Sequence, residues 1–412
     1  MLRSTIRRAS ESRGEASTAA DPPSRLRAFF WGRSLDECIA SGRDNILQLR
    51  LIAALLVLLG HSNLAGPSRV PFDIVHALLP ATYTHVTGLF IFFVVSGILI
   101  TLSFQRRPDL ARFLRARFLR IWPALAVCVL AWAFVLGPIA STLPLSQYFA
   151  FGRADSPYHY VRENLSMFGF STALPGVFAN ARVAAGQVDT PLWSIPVEAT
   201  MYLYVAAAGV LRLLRFPWLT SLVIAGFFTC VWIWPVSHGE LQYMKSLDLT
   251  VRGFFGAGAI LCLLRRYVRV SNGIMLAIAA ACFVARSTIH ALPFAFLAIG
   301  YFVLWFAYVP RLPRMPRDAD LSYATYLWGW PLQQAVATFG HVTTPILLFA
   351  IVAPIAMGIA VLSWFFVEKP ALRLKDVRLP RIHFGRRSPS PPLAPPAGDM
   401  GSLEVPQPPA QA

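Results

Sequence analysis

Ten stretches of this chain are apolar over lengths that match the thickness of a membrane, and no other feature restricts the fold as tightly. They are 46–65, 86–104, 120–140, 193–213, 218–236, 249–266, 273–289, 292–309, 321–340 and 343–367. About 20 apolar residues span the hydrocarbon core as a helix. No water there satisfies loose backbone N–H and C=O groups, so each run has to close its own hydrogen bonds. Composition agrees: of 412 residues 56% are hydrophobic and 14% charged, with a mean hydropathy of +0.55. Soluble domains carry about a quarter charged residues. The expected fold is an all-α polytopic transmembrane bundle of about ten helices.

The net charge of +17 would suggest nucleic acid in a soluble protein. Here the positions of the charges give another account. Of 37 Lys and Arg, 29 fall on one side of the spans and 7 on the other, with Arg50 inside a span. Basic residues concentrate on the cytoplasmic side of membrane proteins. Both termini are therefore expected in the cytoplasm, the helix number is expected to be even, and no nucleic-acid partner is needed. The five cysteines, Cys38, Cys128, Cys230, Cys262 and Cys282, are scattered without metal-ligand spacing, so neither a metal site nor a disulfide framework is expected.

Three regions are expected. Residues 1–44 are rich in Arg, Ser and Ala and read as a disordered basic cytoplasmic tail. Residues 45–370 form the membrane domain. Residues 371–412 contain SPSPPLAPPAGD and read as a proline-rich disordered cytoplasmic tail. No apolar h-region lies in the first thirty residues, so no signal peptide is expected. The longest outer segment, 141–192, has room for a short re-entrant or interfacial helix.

Charged groups inside spans cost several kcal/mol unless compensated, so they mark candidate sites. The first run, ILQLRLIAALLVLLGHSNLAG, carries Arg50 and His61. Eleven positions at about 100° per residue make close to three turns, so both side chains share one helix face about 16 Å apart. Arg117 and Arg120, in FLRARFLRIWPAL, also share a face at the cytoplasmic start of the third span. Three guanidiniums at one level suit a polyphosphate ligand. The alternative is topological charge and contact with anionic lipid. Glu198, in LWSIPVEATMYLY, is expected about six residues deep from the outer side, level with His61 and able to form an acid/base pair with it. Its alternative is a structural carboxylate satisfied by Trp193 or Tyr202. Ser96, Gly97, Gly253, Gly256 and Gly258 read as helix-packing positions. His85, His290 and His341 read as interfacial, and Glu368–Lys369–Pro370 as the stop of the last span.

Taken in order, the Arg50–His61 spacing, FFVVSGILIT, RFLRIWPAL, LWSIPVE, LSYATYLW and FFVEKP resemble the acyltransferase 3 family of membrane proteins, from about Asp44 to Pro370. The resemblance implies a membrane O-acyltransferase in the bacterial inner (plasma) membrane. The donor would be cytoplasmic acetyl-CoA or another acyl-CoA. The acceptor would be a hydroxyl of an exopolysaccharide, lipopolysaccharide or lipid-linked glycan. By the same resemblance His61 is the essential histidine, Arg50 its paired arginine, Arg117 and Arg120 the RxxR motif, and Glu198 the VE position. His61 and Glu198 are then the expected catalytic residues, and Arg50, Arg117 and Arg120 the expected donor-binding residues. Two departures stand out. Gly329 follows YLW where many members have histidine. The esterase-like periplasmic domain of some members is not expected here, so a separate periplasmic protein or the membrane core itself would complete transfer. The rival reading is a proton-coupled transporter or flippase using a His61–Glu198 relay.

Overall fold

A computed structural model of the chain describes residues 29–65, 73–181, 184–238, 243–288, 291–313, 315, 319–342 and 344–376. Most of the expected amino-terminal tail (1–28), most of the proline-rich tail (377–412) and His290 lie outside the described residues. Ten helices of 14 residues or more follow one another: α1 (Ile46–Ala65), α2 (Thr84–Arg106), α3 (Leu110–Ala131), α4 (Ser194–Val210), α5 (Pro217–His238), α6 (Tyr243–Leu263), α7 (Asn272–Ala285), α8 (Ala291–Tyr308), α9 (Ser322–Phe339) and α10 (Pro345–Ser363). Each overlaps one expected span. The protein is an all-α polytopic membrane bundle.

Six of these helices, α1, α2, α3, α6, α8 and α10, are long and apolar enough to cross a membrane by those two criteria alone. The lower apolarity of α9 has a positional cause. Its Ser322, Thr325, Gln333 and Gln334 are buried inside the bundle, where polar side chains bond neighbouring helices instead of meeting lipid. Gln333, for example, donates to Leu58 O of α1 at 2.7 Å.

The basic segments meet at one end. Gln105, at the end of α2, donates to Leu214 O after α4 (3.2 Å) and accepts from Arg265 after α6 (2.9 Å). Asn45, before α1, donates to Phe306 O and Pro310 O at the end of α8 (2.9 and 2.8 Å). These contacts are what up-and-down alternation of ten helices requires, and they agree with the charge asymmetry. We call this the basic end.

Helix α2 is the axis of the bundle; most of its residues are buried, and it touches α1, α4, α6 and α8. Its Gly97 lies against the backbone of Phe255 and Gly258 in α6, where a Cβ would collide. The packing reading of Gly97 and Gly258 therefore matches the structure.

Part of the expected amino-terminal tail is not disordered. Residues 33–40 are ordered: β1 (Arg33–Ser34) pairs antiparallel with β2 (Arg269–Val270), and a short helix Leu35–Ala40 follows, closed by a Ser34–Glu37 capping box. Leu35 and Cys38 are buried, and Leu35 N and Asp36 N donate to Val268 O and Arg265 O. The segment straps the turn between α6 and α7. Its polar composition hid this, because only two of its side chains enter the core.

The segment between α3 and α4 is also ordered. It carries the helix Pro157–Leu165 and a 3-10 turn Thr190–Trp193, and it buries Tyr148, Tyr160, Leu174, Val177, Phe178 and Val188. Two helices run on through π turns, α3 at Trp132–Leu136 and α10 at Trp364–Glu368. Such turns are frequent at functional sites.

Candidate active site

Helices α1, α2, α3, α4 and α9 enclose a pocket of about 250 Å³ at the basic end. Arg50, Arg117 and Arg120 all line it, so the structure brings the three guanidiniums to one pocket. What surrounds them was not foreseen. Arg120 donates to Glu368 Oε2 and to Asp320 Oδ2, each at 2.6 Å. Arg50 Nε lies 3.0 Å from the same Asp320 oxygen, a close ion pair without hydrogen-bond alignment, with its guanidinium over the Phe92 ring. Ser322 and Ser363 donate to the two carboxylates. Arg50 and Arg120 are thus neutralised by protein. Arg117 lies over the rings of Phe113 and Tyr202, and among the described residues it has no hydrogen bond or ion pair, its buried Nε included.

Asp320 sits just before α9. Burial opposes its ionisation, yet Arg120 and Arg50 outweigh burial and hold its carboxyl at about 2. Asp320 therefore stays ionised near neutral pH inside the pocket. The pocket lining includes Arg50, Arg117, Arg120 and Lys375 against Glu198 and Asp320, a net basic set suited to an anion.

Glu198 is where the sequence reading needs correction. It does not meet His61. It lines the basic-end pocket, accepts a hydrogen bond from Ser96 Oγ (3.3 Å) and bonds the Tyr202 hydroxyl. The reason is the entry of α4. Pro191, Leu192 and Ser194 are already buried, and Tyr326 of α9 donates to Pro191 O at 2.9 Å. The helix starts inside the bundle, so counting from an outer surface at residue 193 overestimates how far out Glu198 lies. Tyr202, the alternative partner weighed above, is the one found. Ser96 is likewise more than a packing residue.

His61 lies toward the opposite end. Its ring is 5.1 Å from that of His85 and 5.0 Å edge-on from Trp330, centroid to centroid. Gly60 lies against the His85 backbone, too close for a Cβ, which lets the two imidazoles approach. His85, expected at the interface, is half-buried beside His61, and its Nδ1 has no hydrogen-bond partner among the described residues. Gly329 faces Leu58, one turn of α1 from His61.

The two parts are nearly joined. The pocket lining runs along α2 from Ile100 to Leu89, about 16 Å of helix, and His85 is one further turn, about 6 Å, beyond. At the basic end the pocket shares Ile46, Leu47 and Leu99 with a larger cavity of about 1610 Å³, which Arg33, Arg43, Arg269 and Arg311 line. Among the described residues no cluster of His, Cys, Asp and Glu could hold a metal ion.

The model of the acyltransferase domain family matches residues 44–365, nearly all of the ten-helix core. The chain belongs to the acyltransferase 3 family. It is 24% identical over 339 residues to an O-acetyl transferase of Shigella phage Sf6, covering 80% of this chain and 96% of that protein. It is 27% identical over 373 residues to nodulation protein 10 of Rhizobium leguminosarum bv. viciae, covering 81% of this chain and 94% of that protein. No solved structure matches significantly. As a member of this family the protein is an integral membrane transferase of acyl groups, with relatives that support O-acyl transfer.

Proposed function

We propose that this acyltransferase takes its acyl group, acetyl in the first instance, from acyl-CoA at the basic end, and delivers it to a carbohydrate hydroxyl at the opposite end. The single observation behind this reading is the seam itself. A basic cavity adjoins a narrow pocket in which Arg117 makes no ion pair among the described residues, and which ends one turn of α2 short of His85, the ring neighbour of His61. The nucleotide of the donor would occupy the large cavity among Arg33, Arg43, Arg269 and Arg311. Arg117 would bind phosphate, with Arg50 and Arg120 setting the local field. The pantetheine arm would lie along α2 and bring the thioester to His61. There the imidazole would act as a base or carry the acyl group. Glu198 would order Tyr202 and Ser96 at the pocket mouth instead of tuning His61. The acceptor would be an exopolysaccharide, lipopolysaccharide or lipid-linked glycan, and the membrane a bacterial inner membrane. The core would carry out the acceptor step itself, without a separate periplasmic transferase. A His61–Glu198 proton relay, the basis of the transporter reading, lacks the contact it needs.

Membranes holding the protein, incubated with radiolabelled acetyl-CoA, should incorporate label into glycan. Label that stays in acetyl-CoA with acceptor present would refute the reading.

A further inference from the structure

His61 cannot at one moment carry an acyl group and accept a proton from the attacking hydroxyl. A reaction that passes through an acyl-imidazole needs a second base within reach. We infer that His85 is that base. The inference rests on the acyl-transfer reading above and assigns a step within it.

The geometry selects His85. Its ring is 5.1 Å from His61 and 34° from parallel. It comes from α2, so its position is independent of the first turn-by-turn neighbours of His61 on α1. Among the described residues its buried Nδ1 has no hydrogen-bond partner, and neither has Nε1 of Trp330, which packs edge-on to His61. Two polar atoms left open around one imidazole mark a place that a hydrogen-bonding substrate completes. His85 also leads outward. Its ring stacks at 6.1 Å on exposed Tyr83, which stacks at 4.4 Å on His76. Asp73 fixes this corner by accepting from Thr84 Oγ1 (2.6 Å), Thr84 N and His76 N. Aromatic faces of this kind suit the C–H faces of a sugar ring. On the other side of His61 the pocket approaches from the basic end. Donor and acceptor thus arrive from opposite sides of one pair of imidazoles.

The steps balance. In the donor half, a His61 nitrogen attacks the thioester carbonyl, the C–S bond breaks, and the imidazole proton ends on the departing thiolate. In the acceptor half, the hydroxyl oxygen attacks the acyl carbon while its proton passes to His85. The C–N bond to His61 then breaks, and protonated His85 returns the proton to the leaving imidazole nitrogen. Both histidines end neutral, as they began.

The test separates the halves. Full-length wild-type protein, His85→Gln, His85→Ala and His61→Ala are compared in membranes with radiolabelled acetyl-CoA. Thiol release, label on protein and label on glycan are followed. The two His85 variants should release about one equivalent of thiol per protein in a burst and keep the label on protein. They should transfer to glycan about 10²–10⁴-fold more slowly, the usual worth of a general base. Imidazole in the buffer should restore part of the transfer in His85→Ala. His61→Ala should show neither burst nor label. Glycan labelling by both His85 variants within a few-fold of wild type overturns the assignment. So does loss of the burst in both, because His85 then serves the donor half or the fold. Wild type that transfers nothing fails the underlying function; an active wild type with either of those variant results fails the inference alone.

Discussion

Arg120 of α3 donates a 2.6 Å hydrogen bond to Glu368, 248 positions later, in the π turn that ends α10. The wider turn brings a carboxylate that is 1% exposed onto a guanidinium which also binds Asp320. One arginine thereby ties the third helix to the last and to the start of α9. Removing Arg120 leaves the buried Glu368 carboxylate uncompensated, at a cost of about 3–5 kcal/mol, whereas Arg120 keeps Asp320 when Glu368 is removed, so that loss is smaller.

Glu368→Gln and Arg120→Gln should therefore each lower the melting point of the detergent-solubilised protein. The double variant should melt higher than the sum of the two losses allows, because neither charge is then orphaned. Thermal melts of the four proteins complete the cycle; strict additivity would show that the pair is not coupled.

Arg117 differs, since among the described residues no carboxylate forms an ion pair with it. A hydrogen bond to a charged ligand contributes about 1.5–3 kcal/mol. Arg117→Gln should raise the KM for acyl-CoA by roughly 10–100-fold with a smaller change in kcat and little loss of stability. Arg117→Lys should recover only part, because the forked geometry is lost. Initial rates against donor concentration decide this; an unchanged KM in both variants would remove Arg117 from the donor site.

Asp320 gives a pH signature. With its folded pKa depressed to about 2 against roughly 3.9 in an unfolded chain, its contribution is fully present above the unfolded value and fades as pH falls toward 2. The difference in melting point between wild type and Asp320→Asn should be constant from about pH 5 to pH 8 and should shrink below about pH 4. A difference that peaks in acid would contradict the assignment.

The ten helices and the grouping of the three arginines at the basic end were legible because span lengths and charge asymmetry are local signals. Arg50 was counted from a helix start that the structure keeps, Ile46, whereas Arg117 and Arg120 were counted from a span start at residue 120 that the structure moves back to Leu110. Glu198 was misplaced because α4 starts inside the bundle, and apolar length alone does not show where a chain enters. Asp320 and Glu368 were missed as partners because a pair formed across 200 or 248 positions has no local pattern. One clue was available: an acid directly after the apolar WFFV of the last span is costly unless paired. His85 was read as interfacial since it stands near a helix end; only the close approach at Gly60 reveals its neighbour.

The amino-terminal strap offers a contrast of magnitudes. Leu35 is fully buried, so Leu35→Ala should cost about 2–5 kcal/mol. Asp36 pairs with Arg265 at 2.7 Å but is 43% exposed, so Asp36→Ala should cost no more than about 1 kcal/mol. Denaturation of both variants in the same detergent checks the ranking; equal losses would mean that the strap is held by charge and not by burial.

The central claim is that one route through the bundle joins the donor pocket to His61. Its most direct measurement is the rate of radiolabelled acetyl transfer from acetyl-CoA to glycan in membranes matched for wild-type and His61→Ala protein. The account predicts transfer by wild type and none above background by the variant, with Arg117 variants recovering as donor concentration rises. Transfer by His61→Ala at the wild-type rate would contradict it.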